Sequence, residues 1–304
     1  MTYPRSHLVD AAGGVYHVCS RCVRRAFLCG TDPLSGYNFN HRRDWIENRI
    51  LELTELFAIE IFGYAVMSNH YHIVLQVNPI DTVHWSDESI VDKWLSLNPR
   101  KNENDAVREI RKSTMLDQPA RIAVLRERLG SLSWFMRYLN EPLARMANLE
   151  DGCKGRFWEG RFDSQRVLDE HGILAAMVYI DLNPVRAGMI KHVCDAEYTS
   201  LARRLKLETD HDKPMTTMGK SAMPLPSALS LNDYIQLANW TVDAQQSKRP
   251  TRFSGIPPAE LWINHYLPVP GHWQRALGSI QSLKDYAKDL GQRWIRTRSP
   301  QYLT

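Results

Sequence analysis

The segment "YAVMSNHYHIVLQV", residues 64–77, sets His70 and His72 one residue apart inside an apolar run. On an extended chain alternate side chains share a face, so the two imidazoles stand side by side and Tyr71 points the other way. Such a pair can hold a metal ion, or it can be two half-buried sheet histidines hydrogen-bonded to their neighbours; the pair alone does not decide. Farther on, "MVYIDLNP" places Tyr179 and Asn183 four residues apart. On a helix these lie one above the other, with Asn183 in the last turn, so one face offers a phenol and an amide carbonyl together. An amide oxygen beside two imidazoles makes a set of three nitrogen and oxygen ligands with open positions, which suits Mg2+ or Mn2+ carrying a phosphate oxygen. The task of such a metal is to polarise a scissile phosphate and stabilise charge on its non-bridging oxygens.

A phenol has an ordinary pKa of about 10 and attacks poorly while protonated, so a tyrosine used covalently needs activation. Other tyrosines compete with Tyr179 for that part. Tyr71 faces away from the histidines, and Tyr64 shares their parity but stands several residues off. Tyr138, in "WFMRYLNEP", is helical too, but Pro142 occupies the position four residues on where an amide ligand is wanted. Tyr179 is the stronger candidate.

A second chemistry-bearing stretch is "GCKGRFWEGRFDSQRVL", in which Arg156, Arg161 and Arg166 alternate with Phe157, Trp158 and Phe162. Arginines and aromatics together suit the phosphates and bases of a single strand, or they are arginines stacked on structural rings. With Arg186 just beyond Asn183, the set that could contact a phosphate backbone and its bases reads as Arg156, Arg161, Arg166 and Arg186, with Trp158 as a stacking platform.

The elements that must position these groups can be read in outline. "GGVYHVCSRCVRRAF" predicts a strand leaving a glycine turn, and "HRRDWIENRILELTELF" repeats its apolar residues at helical spacing. "AIEIFGYAVMSNHYHIVLQV" predicts two strands meeting near Met67 and Ser68, the second bearing the histidines. Residues 79–130 are polar and charged and predict one or two solvated helices inserted between core elements. "SLSWFMRYLNEPLARMANLE" is helical again, followed by a turn and a short strand in the arginine-aromatic stretch. "DEHGILAAMVYIDLNPVRAGMI" predicts a helix with Asp169 as N-cap and a stop at Asn183-Pro184. Residues 206–230 have the Pro, Ser, Thr and Met composition of a linker, which separates a domain over 1–205 from a mostly helical extension over 231–304 that ends in a tail rich in Trp and Arg.

The chain has 304 residues, 43% hydrophobic and 24% charged, enough for a sizeable core in one large or two ordinary domains. No apolar stretch approaches the roughly 20 residues that span a bilayer, and the N-terminus lacks the apolar core of a signal peptide, so a cytoplasmic protein with no membrane partner is expected. Five cysteines, at 19, 22, 29, 153 and 194, form neither an even disulfide set nor a four-cysteine zinc site. "CSRC" lies in an extended stretch, whereas a redox pair opens a helix, so reduced thiols are expected. The net charge is only +4, yet residues 248–304 hold nine Lys and Arg against three Asp and Glu. That local excess points to an anionic partner, most simply nucleic acid, or to a solvated helix face.

Taken together, "GYAVMSNHYHIVL", "GRFWEGRF" and "YIDLNPVRAGMI" resemble, in the same order, the REP-associated tyrosine transposases, single-tyrosine members of the HUH single-strand nuclease superfamily. The resemblance covers residues 10–205, and "RALGSIQSLKDYAKDLGQRW" is similar to the C-terminal extension of longer relatives. It implies a ferredoxin-like α+β domain, an antiparallel sheet with packed helices, in which His70 and His72 sit on a central strand under a helix carrying the nucleophile Tyr179. It also implies that Asn183 is the third ligand of Mg2+ or Mn2+. The implied reaction is cleavage of single-stranded or hairpin DNA through a 5′-phosphotyrosine, followed by strand transfer, with no nucleotide cofactor. Relatives act as monomers or as homodimers. One departure is His-Tyr-His, with Tyr71 where the superfamily has a bulky hydrophobe, on the side chain that faces away from the metal. Two other readings stay open: a DNA-binding module that has lost the chemistry, and a zinc hydrolase, which leaves Tyr179 idle and lacks an identifiable further His or carboxylate ligand.

Overall fold

The computed structural model describes residues 12–23, 28–32, 36–219, 222–225, 228–247, 251–268, 274–293 and 295. The chain order begins β1 (Gly14–Arg21), α1 (His41–Thr54), β2 (Ile59–Val66) and β3 (His70–Val77). It continues through α2 (Asp87–Leu97), α3 (Asp105–Leu116), α4 (Pro119–Leu129), α5 (Leu132–Glu150) and β4 (Asp163–Val167). The sheet order is β2-β3-β1-β4-β5, with β5 at Ala276–Leu277. With α5 as the second crossover, β1-α1-β2-β3-α5-β4 is the ferredoxin-like arrangement expected from the sequence, and its four strands pair antiparallel. The fifth strand departs from that expectation: β5 comes from the C-terminal region and pairs parallel with β4, Arg166 opposite Ala276.

Strand alternation divides two cores. Tyr16 and Val18 of β1, and Tyr71, Ile73 and Leu75 of β3, face one side, where Ile46, Ile50 and Leu53 of α1 and Phe135 and Leu139 of α5 cover them. Residues of the opposite parity, such as Val74, face a second core built on α6 (Glu170–Asp181). A buried Arg42 ties the start of α1 to the end of α5 through Glu150, at 2.6 Å, and Asp151.

The insertion at 79–130 is more integral than its composition predicts. It forms a 3-10 turn at Pro79–His84 and three α-helices, and Ile90, Val91 and Leu95 of α2 join Ile122, Leu125 and Leu129 of α4 in the core with α1 and α5. Two narrow apolar stripes suffice for this burial, although charge dominates the average over the segment. Arg126 fixes the turn by donating to the carbonyls of Thr82 and Trp85, the latter at 2.7 Å.

The segment 206–230, expected as a linker, also packs. Met218 donates its N–H to Ile61 O at 2.7 Å, Arg204 bridges the carbonyls of Phe62 and Thr216, and Met215 and Leu225 enter the second core. Beyond it come α9 (Leu231–Gln246) and, after a π-helical turn at Trp262–Tyr266, β5 and α11 (Ile280–Asp289). Tyr234 and Trp262 are fully buried in the same core as α6. The tail from 296 onward lies outside the described residues. Among the described residues no helix is long and apolar enough to cross a membrane.

Candidate active site

The site is built where α6 lies over β2 and β3 and its Tyr179 ring reaches His17 of β1. Every residue of α6 from Gly172 to Asp181 is buried, as an apolar helix enclosed on all sides must be. Asp169 caps it, accepting from Gly172 N at 2.9 Å; the same carboxylate accepts from Ser279 N at 2.5 Å and so caps the region that starts α11. At its C-terminal end Asn183-Pro184 does not stop the helix as expected. Pro184 falls in the first turn of a short α7 (Asn183–Arg186), where a missing N–H costs nothing, and Arg186 N still bonds Leu182 O at 3.0 Å. The helical run therefore carries Tyr179, Asn183 and Arg186 at i, i+4 and i+7.

On the sheet beneath, the rings of His70 and His72 are 4.9 Å apart. A third histidine joins them. His17 of β1, not singled out in the sequence, bonds His72, Nε2 to Nδ1, at 3.0 Å, and Gln165 of β4 hydrogen-bonds His17 in turn. The Tyr179 ring lies edge-on to both, 5.7 Å from His17 and 5.8 Å from His72. Arg186 stacks over the tyrosine with its guanidinium carbon 4.8 Å from the ring centre.

Burial governs the protonation of these groups. It lowers His17 to about 4 against the help of Gln165, lowers His70 to about 4 with Arg21 adding to the effect, and lowers His72 well below its ordinary value, with His17 and His70 adding. All three are neutral at pH 7, as metal ligands and proton acceptors must be. Burial raises the Tyr179 phenol, and the Arg186 guanidinium, with Arg21 after it, opposes the rise and favours the phenolate.

His70, His72 and Asn183 are the residues that would have to hold a divalent ion. His70 Nδ1 donates to Asn69 Oδ1 at 2.5 Å, which leaves the Nε2 lone pair of that ring for a ligand bond. His17 occupies Nδ1 of His72, so a metal on that ring would bind Nε2. Asn183 Nδ2 is buried with no hydrogen-bond partner among the described residues. Among the described residues no group of three or more His, Cys, Asp and Glu is arranged to hold a metal. The set here is two imidazoles and an amide.

The other expected residues fall in different places. Tyr64 does not share the histidines' face: its strand carries a bulge between Ile61 and Gly63, it pairs with Ile73, and its hydroxyl meets Glu47 at 2.5 Å in the first core. Tyr71 is in that core as well, bonded to Asn140 at 2.5 Å. Tyr138 lies on α5 on the same side, so the sheet separates it from His70 and His72. Arg166 also belongs to that side. It sits opposite Tyr16 in the register, stacks on that ring at 4.9 Å and donates to Tyr16 Oη and Gly13 O, a structural engagement away from the histidines. Trp158 packs edge-on to Tyr71 at 5.7 Å, with its indole N–H on Asn140 O at 2.9 Å. Arg156 and Arg161 are exposed beside it, Arg156 donating to Trp158 O at 2.8 Å.

No protein-family model matches the chain, and no curated protein matches it significantly. Among solved structures, the REP-associated tyrosine transposase bound to a REP hairpin is similar over 85% of this chain and 98% of its own, at 14% identity and a TM-score of 0.37.

Proposed function

We propose that the protein is a single-tyrosine DNA nuclease and strand transferase of the REP-associated, HUH type, acting on single-stranded or hairpin DNA. The observation that carries this reading is the convergence of Tyr179, His17, His70 and His72 on one face of the sheet, with Arg186 on the tyrosine ring. A DNA-binding module without chemistry has no use for two neutral imidazoles packed against one phenol with a third imidazole beside them.

In the proposed reaction Tyr179 Oη attacks the scissile phosphorus, the bond to the 3′ oxygen breaks, and a 5′-phosphotyrosine and a 3′-hydroxyl result. The phenolic proton leaves Tyr179 as the bond forms, and the departing 3′ oxygen takes up a proton. Arg186 favours the phenolate and, stacked on the Tyr179 ring, would meet the developing phosphate charge in this reading. His70, His72 and Asn183 would hold Mg2+ or Mn2+, which when bound supplies Lewis-acid polarisation of the phosphate oxygens. His17 fixes the ring of His72. The reverse attack by another 3′-hydroxyl restores a phosphodiester and frees the tyrosine, so no nucleotide cofactor is needed. Arg156 and Arg161, both exposed, would meet the phosphates of the strand in this reading, whereas Trp158 is engaged with Tyr71. The resemblance of the motifs makes a hairpin with single-stranded flanks the substrate to try here.

The test is incubation with labelled hairpin DNA and Mn2+ beside a chelated control, followed by denaturing gels. A downstream fragment joined to the protein through its 5′ phosphate, formed only with metal, supports the proposal. Binding with no adduct on any such substrate returns the binding-module reading.

A further inference from the structure

On the sheet face away from Tyr179, the insertion and the ferredoxin helices enclose a cavity of about 410 Å³ between α1, α2, α4 and α5. Its walls are aromatic. Trp94, Trp134 and Tyr138 form a cluster with ring centres 5.8–6.3 Å apart, Trp94 edge-on to the other two, and Tyr138 bonds Asn98 at 2.9 Å. Its rim carries four arginines and one carboxylate, Glu141, with Arg49 also paired to Glu52 at 2.7 Å. Glu141 is already shared between Arg137 at 3.2 Å and Arg145 at 3.3 Å. Arg128 pairs with no carboxylate among the described residues; it stacks on Trp134 at 4.3 Å and faces Trp94 at 5.5 Å. Arg137 also lies over Trp134, at 5.1 Å.

We propose that this cavity binds an unpaired nucleotide of single-stranded DNA. Three features select that ligand. The volume falls in the range of small-ligand sites and suits one nucleotide. Aromatic rings and guanidinium planes together are the surfaces on which unpaired bases stack. Arginines in excess of carboxylates at the rim supply phosphate contacts, and Asn98 at the wall offers an amide edge to a base. An apolar peptide would leave the cations unanswered, and a bare anion would leave the rings unused. The insertion at 79–130 thereby gains a role: Trp94 and Asn98 come from α2 and its C-terminal end, and Arg128 from α4, so the pocket does not exist without it. The sheet separates this site from Tyr179, so it holds a nucleotide remote from the cut.

This inference rests on the functional reading above only for the nature of the nucleic acid. Its test uses the full chain carrying Tyr179→Phe and a hairpin oligonucleotide whose unpaired flanks carry 5-iododeoxyuridine at successive positions, with crosslinks mapped by mass spectrometry. The expected result is crosslinking to tryptic peptides 94–100, 129–137 or 138–145. Affinity should fall at least about tenfold in Trp94→Leu with Arg128→Ala, the loss of one stacked base. Arg137→Glu and Arg145→Glu, at side chains 61% and 71% exposed, test the rim without touching the core and should each weaken binding. Crosslinks confined to peptides of the Tyr179 face, with affinity unchanged in the rim variants, overturn the pocket while leaving the nuclease reading intact. Crosslinks in the pocket with no adduct formed by the unsubstituted protein uphold the pocket and sink the nuclease. Failure of the oligonucleotide to bind at all overturns both.

Discussion

His17 shows how a site is completed by a residue whose importance depends on its partner strand. In the sequence it is one histidine in "VYHVC", and only the β1–β3 register brings it against His72; no local pattern contains that register, whereas the spacing of His70 to His72 and of Tyr179 to Asn183 needs only the periods of strand and helix. If His17 orients His72, His17→Ala should lower Mn2+ affinity about 10–100-fold. Titration calorimetry on the DNA-free protein reads this directly, and an unchanged affinity would remove His17 from the metal's surroundings. Tyr138 could be weighed against Tyr179 from the residue at i+4, but the stronger reason for Tyr179, a sheet between Tyr138 and the histidines, is a tertiary fact. Whatever adduct Tyr138→Phe forms is accordingly expected to lie on Tyr179, as in the parent protein.

At the scale of elements, α6 is clamped at both ends. Asp169 caps its start, and Asp181 at its last turn accepts from Tyr234 Oη of α9 at 2.6 Å and from Ser200 Oγ at 3.3 Å. Burial raises Asp181 from 3.8 to about 6 despite those donors. The folded state therefore holds this proton more tightly than the unfolded chain. Stability from this group is full below about pH 4 and is lost as pH rises through about 6. Asp181→Asn should match the parent at pH 4 and exceed it by up to about 3 kcal/mol at pH 8, in urea unfolding without metal. A gap that opens toward acid pH would contradict the buried carboxyl. Tyr234→Phe, which removes a donor from a buried acid, should cost about 1.5–3 kcal/mol at neutral pH. The helix itself and its Asp169 cap were legible, because capping and apolar run are local. Its continuation past Pro184 was not, since a proline in a first turn and a proline after a last turn look alike until the next turn is seen to form.

For the whole molecule, the sequence pointed to the ferredoxin-like half and misjudged how the remainder attaches. Composition made 79–130 a solvated insertion and 206–230 a spacer, because averaging charge and proline over a segment hides the few apolar residues, such as Leu125, Leu129, Met215 and Leu225, that bury it. The C-terminal region adds β5 to the sheet and Trp262 to the core over α6. A chain ending at residue 205 should therefore lose cooperative unfolding, and Trp262→Ala should cost about 3–5 kcal/mol, both measurable by circular dichroism melts. An independently stable 1–205 fragment would show that the extension is merely appended. All of this architecture serves one claim, that Tyr179 is the residue that joins DNA. The most direct test is to trap the covalent complex with Mn2+ and a labelled hairpin, digest it, and identify the modified residue by mass spectrometry alongside Tyr179→Phe. A 5′-phosphate on Tyr179, with no adduct in the variant, is the predicted result; an adduct that persists in Tyr179→Phe, or a phosphate on any other tyrosine, would contradict it.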